Sequence, residues 1–410
     1  MNHISRLLKK GLLPGISALL LFSACNKDLE TFDVPANPQP TGLSLGEAIA
    51  PANNTDSLYY HMVVRAGLLP TLSNRTAFYT MFVPTNNAVK LLVNAASGGL
   101  VPLNAPDPVF VNFIQTNLPV ASANAIVSYN TNPQVIRSSN IPSTFPNFQY
   151  PSIFNPAPSV SALLRLTNFP STGNGAWLNN IPIVSVNQDA ANGVIHKTAF
   201  VMTPPSRYLW DRINADPDMT YLKAAIQRAD SGVAASSSIQ GYLQNIGANF
   251  TVFAPTNAAF QTTLTGAIYQ ALVSLGVPPA TALAQAQALA STPAVFSNPL
   301  LYGALTAQTV KGIVVYHVLG TRAFTNNLPT TQTFVPTLLN SAVPAHPGVG
   351  LQATFGVPFV TSATVKGVGN ATAANIIINA SPLTPDPAGT SDQHFLNGTI
   401  HKIDQVLLPQ

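Results

Sequence analysis

Three short motifs occur twice in this chain, in the same order, and nothing else limits the possible folds as strongly. Tyr79-Thr-Met-Phe-Val-Pro-Thr-Asn-Asn-Ala-Val89 matches Phe250-Thr-Val-Phe-Ala-Pro-Thr-Asn-Ala-Ala-Phe260 at an offset of 171. Ala125-Ile-Val-Ser-Tyr-Asn130 matches Gly312-Ile-Val-Val-Tyr-His317 at 187, and Asn192-Gly-Val-Ile-His-Lys197 matches Asn397-Gly-Thr-Ile-His-Lys402 at 205. The growing offset means that the second copy carries two insertions. A chain of 410 residues thus holds two copies of one domain. Each copy, at roughly 165–200 residues, is large enough to build its own core.

Each motif has a local physical reading. Phe-Thr-Val-Phe alternates as a half-buried strand. Pro84 or Pro255, which has no N–H, ends the ladder. Thr85 or Asn86, and likewise Thr256 or Asn257, then caps a following helix. The Gly312–Leu319 run either ends a helix or forms a buried strand. Asn-Gly before Val-Ile-His or Thr-Ile-His reads as a tight turn entering a strand. His196 and His401 occupy equivalent apolar positions, where a histidine is expected to give one ring nitrogen to a backbone carbonyl.

Together these blocks resemble the fasciclin domain, whose pattern runs from a Thr-Val-Phe-Ala-Pro-Thr-Asn block through a Tyr-His pair to an Asn-Gly-x-Ile-His block and a closing Leu-Leu-Pro. The second copy keeps all of it. The first diverges, with Asn130 in place of the paired histidine and Lys197-Thr-Ala-Phe200 in place of the usual Ile-Asp stretch. The resemblance implies an α+β fold with two tandem domains, residues 42–205 and 206–410, each a β-sandwich or wedge flanked by short helices. It also links the Tyr-His region to contact with an adhesion receptor. Tyr316, His317, Tyr129 and Asn130 are therefore the candidate partner-binding residues. The competing reading has Tyr316 packing and His317 hydrogen-bonding to hold the fold.

Between the motifs, the Ala- and Gln-rich stretches of residues 266–309 favour helix, so the first insertion reads as a helix or helical pair. Residues 132–159 carry six prolines and read as a long exposed loop. Residues 381–394 read as a polar loop. Phe359–Lys366 alternates, and Asn375–Asn379 is β-branched, so both read as strands.

The N-terminus has its own logic. Arg6, Lys9 and Lys10 precede an apolar run from Gly11 to Ala24. That run is too short for the ~20 residues a membrane span needs. Basic start, short apolar run and small residues describe a secretory signal peptide over residues 1–24. Leu21-Phe-Ser-Ala-Cys25 resembles a bacterial lipobox, in which Cys25, the sole cysteine, is lipidated. Residues 25–41 then form a flexible Pro-rich tether. Lys27-Asp-Leu-Glu30 resembles the surface-export signal of Bacteroidota-type lipoproteins. The expectation is an exported protein, lipid-anchored to the outer membrane, with the body facing either the cell exterior or the periplasm.

Charge narrows the function further. Only 8% of residues are charged, and the net charge of +4 falls to +1 without Arg6, Lys9 and Lys10. A near-neutral body attracts phosphate weakly, so no nucleic-acid partner is expected. With one cysteine no disulfide can form within the chain and no cysteine-based metal site is possible. The seven histidines show no metal-ligand spacing, so neither a metal nor another cofactor is expected. Gly42-Leu-Ser44-Leu-Gly46 fits a hydrolase pattern, but a Pro-rich tether stands where a strand is needed, and Ser44 reads as the cap of a helix containing Glu47. No catalytic residue emerges. The reading is a non-enzymatic, membrane-anchored adhesion or interaction protein with a protein or glycan partner. The alternative is an accessory glycan-binding lipoprotein beside an outer-membrane uptake system, which an exposed cleft with Tyr150, Trp177 or Trp210 would favour.

Overall fold

The computed structural model describes residues 41–356, 359–379 and 389–410. The signal peptide, Cys25, Lys27–Glu30 and nearly all of the tether lie outside the described residues, as does most of the polar loop at 381–394. The chain from residue 40 onward clusters as one compact unit. Among the described residues, no helix is long and apolar enough to cross a membrane.

The fold is α+β, and the duplication is visible in it. In the first copy the strand Tyr79–Pro84 pairs in parallel with Gly193–Thr198, Tyr79 opposite Gly193. In the second copy Phe250–Pro255 pairs in parallel with Gly398–Ile403, Phe250 opposite Gly398. An antiparallel strand flanks each pair on either side. Thr131–Asn132 and Ile181–Ala190 do so in the first copy, Val318–Leu319 and Gln393–Phe395 in the second. The first sheet continues to six strands through Trp177–Leu178 and Pro170–Ser171.

These central strands are buried on both faces, and alternation decides which residue meets which layer. Met81 and Val83 face a core of helices that include Leu58–Arg65, Asn86–Ala96 and Val120–Tyr129. Phe82, between them, packs on Tyr129, Leu178 and Ile181. In the second copy Val252 and Ala254 meet the helices Thr220–Ala229, Asn257–Ser274 and Ala307–Tyr316. Phe253 faces the other way, onto Val349, Leu351 and Val365 of a second four-stranded sheet. Each sheet is thus the middle layer between helices and a second apolar cluster, the arrangement that lets a sheet bury both faces.

The second-copy insertions take two forms. Residues Asn257–Ser274 and Pro279–Ala290 are helices, the second packing through Ala282, Ala286 and Ala290. Val349–Phe355 and Val360–Lys366 form an antiparallel pair that covers Phe253. Asn375–Asn379 is only briefly a strand, at Ala374–Asn375, with Ile376 bridging to Ile403.

Two surface expectations are corrected. The Pro-rich stretch 132–159 is not simply exposed, since it buries Ile136, Ile141, Asn147 and Ser152. Trp177 and Trp210 are interior, at 4% and 6% exposure, and offer no aromatic platform.

Candidate interaction surface

The repeated motifs build the interior, and they do so twice with the same bonds. Thr85 caps its helix by accepting from the Ala88 N–H, and Thr256 does the same with Ala259. Asn86 and Asn257 are not the caps. Each accepts from a backbone N–H in the first turn of a preceding helix, Leu58 at 2.9 Å and Tyr221 at 3.2 Å. Pro84 and Pro255 end their strands, yet the next residue still donates across, Thr85 to Thr198 and Thr256 to Ile403, each at 3.1 Å. Lys197 pairs with Asp56 at 2.9 Å, and Lys402 pairs with Asp216 at 2.9 Å and Asp218 at 3.2 Å. Burial alone would raise the Asp56 carboxyl, but the Lys197 ammonium and the Asn86 N–H together outweigh it and hold the group below the usual carboxylate range. Ser44 closes a capping box with Glu47, a helix-starting role rather than a nucleophilic one.

His196 and His401 hold backbone. His196 gives its Nε2 hydrogen to the Ile136 carbonyl at 2.7 Å and stacks on Phe82. His401 does the same with Ala323 at 3.1 Å and stacks on Phe253. Backbone N–H groups of Asn187 and Asp392 donate to their Nδ1 atoms, which fixes both rings neutral.

The partner-binding expectation for Tyr129, Asn130, Tyr316 and His317 is corrected. All four are buried, at no more than 1% exposure. They sit where a helix turns directly into a strand, so their side chains point into the layers. Leu407 N–H donates to His317 Nε2 at 2.8 Å, so Nδ1 carries the hydrogen given to the Ile313 carbonyl at 2.8 Å. Burial pushes this imidazole down to about 4. Asn130 imitates it, with its amide donating to Ile126 at 2.8 Å and to Met202 at 2.7 Å. Tyr316 donates to the Gly348 carbonyl at 2.7 Å and accepts from Val368 at 3.0 Å. Tyr129 lies under the seam between the copies, its ring 6.2 Å from that of His394, and burial pushes its hydroxyl up to about 12.

That seam is built by residues the sequence did not single out. Arg322, 3% exposed, donates to His394 Nε2, to Asn249 at 2.9 Å and to the Phe395 and Leu396 carbonyls at 3.3 Å. Burial lowers its guanidinium only to about 10, so it stays charged at neutral pH. His394, buried beside that charge, is held well below the ordinary histidine range. Across the seam Asn326 donates to the Asn179 carbonyl at 2.6 Å, Asn327 bonds Asn147, and Phe324 meets Phe169 at 5.9 Å. One signal pointed there: Arg322 is the lone charged residue between Lys311 and Lys366.

Where the seam opens it forms a groove of about 410 Å³. Ser143, Thr144 and Phe145 line one wall, and Thr330, Thr331 and Asn327 the other. The lining holds no charged side chain. Such a surface offers neutral donors and acceptors and one aromatic face. Among the described residues, no group of three or more His, Cys, Asp or Glu is placed to hold a metal ion.

Comparison with known proteins agrees with the repeat. The family model for the fasciclin domain matches residues 56–204 and 228–409. Among solved structures the chain is similar to a FAS1 domain pair from the insect cell adhesion molecule fasciclin I. The identity is 14%, the match covers 85% of this chain and 95% of that one, and the TM-score is 0.32. No curated protein matches the chain. The chain belongs to the fasciclin domain family.

Proposed function

We propose that this fasciclin-family chain is a non-enzymatic, membrane-anchored adhesion or interaction lipoprotein that presents two joined domains to an extracellular or envelope partner. The observation that carries the reading is the seam. Arg322 rests on the Phe169 ring, and Asn326 and Asn327 bond Asn179 and Asn147, which joins the copies, and the groove beside them displays uncharged hydrogen-bonding groups. Four of the histidines support it too. His196, His317, His346 and His401 each bond a backbone carbonyl with one nitrogen and accept a backbone N–H with the other. The anchor itself rests on Cys25 and the segment before it.

Protease shaving of intact cells tests the placement, with Cys25→Ala as control. Loss of the wild-type protein from intact cells is expected, as is release of the variant from membranes. Protection until the outer membrane is broken excludes surface adhesion, and membrane retention of Cys25→Ala excludes the lipid anchor.

The groove also favours a second reading, an accessory glycan-binding lipoprotein beside an outer-membrane uptake system. Neutral Ser, Thr and Asn groups around Phe145 suit sugar hydroxyls and an apolar sugar face. A glycan array probed with wild type and Phe145→Ala tests it. Binding lost in the variant supports this reading, and no binding by the wild type rejects it.

A further inference from the structure

A second groove lies within the second copy, away from the seam, with a volume of about 470 Å³. That is within the range of small-molecule sites, ~300–1,000 Å³. Its apolar lining comes from Ile239, Leu243, Phe250, Val315, Val318 and Leu338. Lys311 is its one charged lining residue. Lys311 is half-buried and has no hydrogen bond, ion pair or ring contact among the described residues.

The first copy fills the same place with polar side chains that bond one another and the backbone. Asn124, Ser128 and Thr131 stand where the second copy has Lys311, Val315 and Val318, at the offset of 187. Strand pairing confirms the match, since Thr131 faces Met81 and Val318 faces Val252. In the first copy all three polar groups are used internally. Asn124 donates to the Ala66 carbonyl at 3.1 Å, Ser128 to Asn124 at 3.3 Å and Thr131 to Val127 at 2.8 Å. The second copy replaces two satisfied hydroxyls with valines and one satisfied amide with an ammonium that has no partner among the described residues. Leu338, from an insertion that the first copy lacks, adds another wall.

We propose that this groove binds an amphipathic monocarboxylate of the fatty-acid type. Its chain lies among Phe250, Val315, Val318 and Leu338, and its carboxylate meets the Lys311 ammonium. Besides Lys311 the only polar lining groups among the described residues are the hydroxyls of Ser237, Tyr242 and Ser341, too few to satisfy a polyanion or a sugar, and a single cation matches a single carboxylate. A neutral lipid would leave Lys311 unpaired. The site is independent of the adhesion reading, which concerns the seam and the anchor.

The test uses the full chain carrying Cys25→Ala, which keeps detergent out of the assay. Dansyl-undecanoic acid serves as the fluorescent probe, with decanoate and decanol as competitors. Decanoate is expected to displace the probe about tenfold better than decanol, the worth of one charge-assisted contact. Lys311→Gln is expected to weaken decanoate about tenfold while leaving decanol unchanged, and Lys311→Arg to keep the preference. Val315→Ser with Val318→Thr, which imports the first-copy residues, is expected to weaken both competitors. Thermal melts confirm that each variant is folded. Probe fluorescence insensitive to decanoate overturns the proposal. So does a folded Lys311→Gln chain that still prefers acid over alcohol.

Discussion

The guanidinium of Arg322 lies 5.1 Å from the centre of the Phe169 ring, so a buried charge of the second copy rests on an aromatic face of the first. Among the described residues no carboxylate pairs with it. Its surroundings are a histidine nitrogen, an asparagine oxygen, two backbone carbonyls and the ring. Removing a buried charge of this kind leaves several acceptors without a donor. Arg322→Met should therefore lower unfolding free energy by about 3 kcal/mol, read from urea denaturation at neutral pH. Exposed Arg207→Met should change it by no more than about 0.5 kcal/mol. A loss at Arg322 as small as that at Arg207 would mean that the seam does not depend on this charge.

His317 makes stability depend on pH. Its imidazole is lowered to about 4 by burial, against about 6.5 when unfolded. The unfolded chain then binds the extra proton between those values. The stabilisation is complete above pH ~6.5 and is lost as pH falls towards ~4, up to about 3 kcal/mol. His196, His394 and His401 are lowered too and act in the same direction. His317→Asn, which copies Asn130, should fold and flatten part of that slope. It should also cost about 1–3 kcal/mol at neutral pH, because the Leu407 N–H loses its acceptor. Urea midpoints at pH 7 and pH 4.5 compare the two chains, and an unchanged slope in the variant rejects this assignment.

The duplicated motifs made much of this readable in advance. Phe-Thr-Val-Phe is a strand, a capped helix follows each proline, and His196 and His401 bond carbonyls, because each follows from local pattern and elementary chemistry; the choice of Thr85 over Asn86 and Thr256 over Asn257 came only from the structure. Depth was harder to read. Tyr316 and His317 lie at a helix–strand corner, and a six-residue motif does not say which side of that corner is covered. Arg322, Asn326 and Asn327 sit in a polar run that reads as surface. Their partners Asn179 and Asn147 are more than 140 residues away, and no local period reports such a contact.

Asn192 and Asn397 show the same limit, since Asn-Gly read as a turn. The structure gives each asparagine a longer reach. Asn192 accepts from Leu45 N–H at 2.7 Å and donates to the Leu72 and Asn74 carbonyls, each at 2.9 Å. Asn397 accepts from Leu209 at 3.0 Å and donates to Leu243 at 2.9 Å. Each fastens the opening helix of its copy to the central sheet. Asn397→Ala should cost about 2–3 kcal/mol by leaving both backbone groups unpaired. Asn397→Asp should not rescue it, because a carboxylate has no hydrogen for Leu243. Melting temperatures of the three chains decide it, and a fully stable aspartate variant would show that the donor is dispensable.

The glycines after those asparagines are required by a close approach between parallel strands. At Gly193 the backbone has φ +153°, and a Cβ would overlap the Tyr79 carbonyl oxygen. At Gly398 a Cβ would meet the Phe250 carbonyl oxygen and Leu209. The carbonyls of Tyr79 and Phe250 are backbone of the central strand and cannot move without breaking the pairing Tyr79–Gly193 or Phe250–Gly398. Gly193→Ala and Gly398→Ala should each cost more than about 3 kcal/mol. Gly266 supplies the contrast. It lies inside the helix Asn257–Ser274 with open space around its missing Cβ. Gly266→Ala should stabilise the protein by about 0.5–1 kcal/mol through helix propensity alone. Calorimetric melts of the three variants should therefore move in opposite directions. If Gly193→Ala and Gly398→Ala melt with the wild type, the strands are not held at this separation.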